Sequence, residues 1–184
     1  MRALLLVLLV GCRDDISTIN SGELITTVVL TFTPANGGEI VATANDPDGD
    51  GGEPPAIDPV NLAADTYAMT VRFQNRLEDP PEEITDEVMD ESDAHQVFFT
   101  GSAVSGPLMH AYADQDRNGL PVGLESTVVA APGSGMLTVT LRHMPPVNDT
   151  PVKTAGLAEG VEVTGTAGLP GESDAVVTFA VTVQ

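Results

Sequence analysis

A period of two runs through most of this chain. In VVLTFT (Val28–Thr33), Val28, Leu30 and Phe32 alternate with Val29, Thr31 and Thr33. TYAMTVRFQNR sets Tyr67, Met69, Val71 and Phe73 against Thr66, Ala68, Thr70 and Arg72. MLTVTLRHM sets Leu137, Val139 and Leu141 against Thr138, Thr140 and Arg142. DAVVTFAVTV sets Ala175, Val177, Phe179, Val181 and Val183 against Val176, Thr178, Ala180 and Thr182. Alternation of this kind predicts half-buried antiparallel strands, apolar side inward and Thr side wet. Weaker strand signals lie at Glu39–Ala44, His95–Thr100, Pro107–Ala113 and Leu124–Ala131, and the turn APGSG (Ala131–Gly135) predicts a hairpin. About eight such strands, punctuated by Gly, Pro and Asn, predict a mainly β fold. The expectation is a single antiparallel β-sandwich of immunoglobulin-like or jelly-roll type, with a closed barrel as the alternative.

One segment breaks the alternation. EDPPEEITDEVMDESD (Glu78–Asp93) carries nine acids. Asp79 as N-cap, Pro80 at the first helical position and Glu82 as capping-box partner predict a short acidic helix. Ile84 and Val88, four apart, would face the core. The Gly-, Pro- and Thr-rich stretch Pro145–Glu172 predicts long loops with a short strand at Val161–Thr164.

The acids also form patterns that suit a cation. In DQDRNGLPVGLE, Asp114, Asp116 and Asn118 occupy positions 1, 3 and 5 of a calcium-loop spacing. Gly119 takes the sharp turn, Leu120 offers its carbonyl at position 7, and Glu125 stands at position 12. The flanks read as strands, and Pro121 is out of place in an EF-hand, so the expectation is a strand–loop–strand calcium site. The bland reading is an Asp/Asn/Gly turn with no ion. NDPDGDGG repeats part of the spacing with Asp46, Asp48 and Asp50, but has Ile57 at position 12.

The first residues supply an address. MRALLLVLLVGC has Arg2, an apolar run from Ala3 to Val10, then Gly11 and Cys12. The run is too short to span a bilayer as a helix and suits the h-region of an export signal. Leu9–Cys12 resembles the lipobox of bacterial lipoproteins, which implies lipidation at Cys12 and anchoring to the membrane. The expected organisation is a signal peptide over 1–11, a lipidated Cys12 and flexible tether over 12–22, and a sandwich domain over 23–184. Cys12 is the only cysteine. A mature domain whose Cys12 carries lipid has no disulfide, and its stability must come from an apolar core.

Seven basic against 27 acidic residues give a formal net charge of −20. Such a field repels nucleic acid and favours cations. His95, His110 and His143 each fall in a predicted strand, but no pair has ligand spacing along one strand. They read as hydrogen-bonded histidines more readily than as a metal site. Neither a nucleophile elbow, nor a zincin helix, nor a phosphate-binding glycine loop is present in the sequence. The chain lacks tryptophan, which leaves little to build a sugar platform.

Taken together, Cys12 with acids after it, DPDGDGG, NLAADTY, EITDEVMDESDAHQVFF, DQDRNGLPVGLE and LTVTLRHMP resemble a group of uncharacterised bacterial surface lipoproteins. Members of that group are sometimes described as type 1 periplasmic-binding folds, which would imply an α/β protein; the strand pattern argues otherwise. The functional expectation is an envelope-anchored, non-enzymatic, calcium-braced module for binding or adhesion, placed at the outer membrane, with a protein or glycan partner. A small-ligand carrier and a carboxylate-dependent hydrolase are the alternatives. A pocket lined by Tyr67, Tyr112 or Phe residues would favour the carrier, and two acids converging in a cleft would favour the hydrolase.

Overall fold

The computed structural model describes residues 24–49 and 53–184. The lipobox, Cys12, the tether and Asp50 lie outside the described residues. In chain order the elements are β1 (Thr27–Pro34), β2 (Ile40–Asn45), β3 (Ala56–Ile57), β4 (Val60–Leu62), β5 (Thr66–Asn75), β6 (Glu82–Glu83), α1 (Thr85–Asp90), β7 (His95–Thr100), β8 (Leu108–Tyr112), β9 (Glu125–Ala130), β10 (Gly133–His143), α2 (Leu157–Thr164) and β11 (Glu172–Val183). Two sheets form. One runs β3-β2-β1-β5-β9-β8, with β6 added beside β5; the other runs β4-β11-β10-β7. Neither closes on itself, so the molecule is a β-sandwich and not a barrel.

The period of two places the core. In β5, Tyr67, Met69, Val71 and Phe73 are buried while Thr66, Ala68 and Arg72 are exposed. Leu137, Val139 and Leu141 of β10 meet Phe179, Val181 and Val183 of β11 in the same cluster. A void between the sheets, beside Met69, Phe99 and Leu137, measures about 10 Å³, at or below what one water needs.

Strand β7 departs from simple alternation because both its faces are covered. Val97 and Phe99 enter the main core. Phe98 points the other way, into a second cluster with Met144 and Val161. The covering element is α2, which the sequence predicts as loop and strand. Gly160 and the β-branched Val161 and Val163 weaken its intrinsic helix signal. Leu157 and Val161, one turn apart, supply the apolar stripe that docks it, and this tertiary contact overrides propensity.

Three further expectations are corrected. The acidic helix starts at Thr85, not Pro80. Glu82 and Glu83 are drawn out as β6, paired to Asn75 and Gln74, and Glu83 is held by Arg72 and Gln74. Ile84 and Val88 are nevertheless buried, as their spacing predicts. APGSG does not close a hairpin. It carries the chain from β9 in one sheet to β10 in the other, and Gly135 then packs on the Ala103 backbone. Nor is every pair antiparallel: β4 runs parallel to β11, with Val60 opposite Val181. A three-residue strand far from β11 in sequence is free to dock in either direction, because no tight turn joins the two.

Candidate functional site

Loop 113–124 joins β8 to β9, so DQDRNGLPVGLE is a strand–loop–strand segment. Its acids are placed by their hydrogen bonds. Asp114 Oδ1 accepts from the Gly123 amide at 2.7 Å, and Oδ2 accepts from Leu124 and Glu125 at 2.7 and 3.0 Å. Asp116 Oδ1 accepts from the amides of Asn118 and Leu120 at 2.8 and 2.9 Å. The Leu120 carbonyl accepts from the Asp116 amide at 2.8 Å. Gly119, with φ +76°, makes the left-handed turn that its place in the loop requires.

The remaining Asp116 oxygen faces a cation supplied by the chain. Lys153 Nζ lies 2.9 Å from Oδ2, and both side chains are completely buried. The approach is an ion pair off the hydrogen-bonding axis; the well-aligned hydrogen bond of Lys153 goes to the Ser92 carbonyl at 2.7 Å. Burial alone would raise the Asp116 pKa, but Lys153 and the amides of Leu120 and Asn118 outweigh it and hold the carboxyl below its usual range. Burial pulls the Lys153 pKa down, opposed by Asp116 and, at longer range, Asp114 and Asp93.

In this structure Asp114, Asp116 and the Leu120 carbonyl, all donors expected for calcium, already have partners within the chain. Calcium takes six to eight oxygens around one centre. Here the Asp114 and Asp116 oxygens are turned onto backbone amides, the Leu120 carbonyl is engaged, and an ammonium stands against Asp116. Asn118 contributes its amide N–H, and Glu125 sits in β9 opposite Thr70 with an exposed side chain. The calcium spacing of the sequence is thus met by a loop that satisfies itself. Asp46 and Asp48 behave alike: Asp46 accepts from the Asp48 amide and Asp48 from Glu53. No local pattern points to Lys153; its one signal in the sequence is that it is the sole lysine in a chain of net charge −20.

Past Ser92, the same turn leads to two histidines that sequence spacing does not connect. His95 and His143 are directly opposite each other on β7 and β10. Their rings stack, with centroids 4.5 Å apart and planes 9° from parallel. His95 Nδ1 lies 3.2 Å from the Glu91 carbonyl, and its Nε2 lies 3.8 Å from Asp174 Oδ2. Burial pulls the His95 pKa down, and His143 adds to that. Burial pushes the Asp174 carboxyl up, against the pull of His143 and Arg142.

A groove of about 790 Å³ opens on the side of the sandwich where the edge strands β7 and β8 meet. Phe99, Val104, Met109 and Val161 give it an apolar wall, with His110 and Ser105 as polar members. Met109 is 71% exposed, unusual for so apolar a side chain. The His110 ring lies 4.4 Å from Phe99 with the planes tilted by 46°, touches Tyr112 edge-on at 4.6 Å and shares a 2.9 Å hydrogen bond with Ser126 Oγ. Burial lowers its pKa to about 4 against the pull of Asp114, so the ring is neutral at pH 7. Tyr67, the other aromatic considered for a pocket, lies in the core with its hydroxyl donating to Ala63.

The described residues thus form a two-sheet β-sandwich with an apolar core between the sheets and a roomy groove at the β7–β8 edge. Compared with protein-family models, curated proteins and solved structures, the chain returned no match.

Proposed function

We propose that this chain is a non-enzymatic, lipid-anchored binding module of the cell envelope, and that its ligand is a small molecule with an apolar body. The groove between β7 and β8 is the observation that carries this reading. Ligand sites are concave and mainly apolar, with a few placed polar groups. Here Phe99, Val104 and Met109 would cover the apolar body, and neutral His110 is the group that would orient it. The anchor rests on the lipobox and Cys12, and with it the outer-membrane location. The hydrolase alternative has less support, because Asp114 and Asp116 are committed to amides and, for Asp116, to Lys153.

The test uses a neutral fluorescent probe, N-phenyl-1-naphthylamine, because the net charge disfavours anionic dyes. The full chain is expected to bind it saturably, and Met109→Asp to weaken binding at least about tenfold, near 1.4 kcal/mol. No saturable binding, or equal binding by the variant, would remove the groove from the proposal. In membrane fractionation, Cys12→Ser is expected to move the protein to the soluble fraction.

A further inference from the structure

We propose that Glu91, His95, His143 and Asp174 form a binding site for a borderline divalent metal ion, with zinc the best fit. Glu91, His95 and His143 each present a ligating atom, and the three atoms lie within 4.8 Å of one another. They come from separate elements: the C-cap of α1, β7 and β10. Imidazole with carboxylate is a donor set that suits zinc.

The tautomer of His95 follows from its neighbour. A carbonyl can only accept, so the Nδ1 facing the Glu91 carbonyl carries the proton. In the neutral ring that leaves a lone pair on Nε2. This lone pair faces Asp174 Oδ2 across 3.8 Å, too far for a hydrogen bond. That oxygen is buried and has no hydrogen-bond partner. Two electron-rich atoms confronting each other in a buried place are a poor arrangement unless a cation lies between them. A carbonyl hydrogen bond on the far nitrogen is also the usual support of a metal-bound histidine.

The backbone is shaped to bring Asp174 there. In the β10–β11 ladder Leu141 faces Ala175 and Arg142 faces Ser173, so Asp174 is the extra residue of a β-bulge. Bulges re-aim side chains and are common beside sites. Arg142 locks the approach to the bulge, donating to the carbonyls of Leu169, Pro170 and Gly171 at 2.8, 3.0 and 2.5 Å and to Ser173 Oγ at 2.9 Å. Arg142 is the cation that acts on Asp174, but its own donors are spent on those carbonyls and on Ser173; Lys153 is matched by Asp116.

Zinc–nitrogen bonds of about 2.0–2.1 Å set tetrahedral ligands roughly 3.3 Å apart, so the stacked rings would tilt toward each other on binding. Asp174 stands outside the cluster of Glu91, His95 and His143, 3.8 Å from His95 Nε2; drawn in as the fourth ligand it would close the shell and make the site a brace and not a reaction centre. It would tie α1 to three strands of one sheet.

The experiment is zinc titration of the purified full chain without a polyhistidine tag, in excess magnesium to occupy surface carboxylates. One zinc per chain is expected, with a higher melting temperature. Cobalt in its place should give the visible bands of a tetrahedral nitrogen–oxygen site. His143→Gln and Asp174→Asn should each weaken binding at least tenfold, and their own folding without metal is checked by circular dichroism. Absence of magnesium-resistant binding would overturn the proposal. So would undiminished binding in both folded variants, the mark of a surface ion only. Neither outcome bears on the groove.

Discussion

Lys153 decides the behaviour of its corner more than any other side chain. Its ammonium and the Asp116 carboxylate are fully buried, so removing one partner strands the other. Breaking such a pair costs about 3–5 kcal/mol. Lys153→Met should therefore lower unfolding stability by about that amount in urea denaturation. The double variant with Asp116→Asn should lose less than the two single changes added together. None of this was legible beforehand, because Asp116 and Lys153 are far apart in sequence and neither has a local pattern pointing to the other. The carboxylate spacing was legible, but it encodes a tight Asx-type turn as well as it encodes a metal loop. Which one forms depends on whether a cation arrives from elsewhere in the chain.

At the scale of elements, alternation told which face of a strand is buried and not which strand lies beside it. The face assignments of β5 and β11 could thus be read directly; in β10 the inward face was legible, but Thr140, expected on the wet face, is buried opposite Phe98. The adjacency of His95 and His143 could not, since it depends on β7 pairing with β10. The bulge at Asp174 is hidden for the same reason. It is held by Gly171, whose φ is +75° and where an added Cβ would stand 1.9 Å from the His143 carbonyl oxygen. That oxygen is backbone and cannot swing away. Gly171→Ala should destabilise the domain by more than about 1 kcal/mol, read as a lower melting temperature. Helix α2 was missed because its stability comes from Val161 and Leu157 against Phe98, contacts no local window contains.

For the molecule as a whole, the governing quantity is the net charge of −20. Like charges at this density repel, and any salt relieves the repulsion. Added calcium should raise the melting temperature no more than magnesium at equal concentration. A calcium-specific rise, abolished by Asp114→Ala with Asp116→Ala, would restore an ion to the β8–β9 loop.

The parallel contact between β4 and β11 has a consequence in time. Val60 finds its partner only when Val181 has been made, so one sheet cannot be completed until β11 has been synthesised. Pairings this distant in sequence form late and slowly. During synthesis the early strands must wait without their neighbour, and the chain stays open for longer than one built from local hairpins. Such delay exposes a cytosolic protein to aggregation. For a chain exported in the way proposed here, it would keep the polypeptide threadable until it has crossed the membrane.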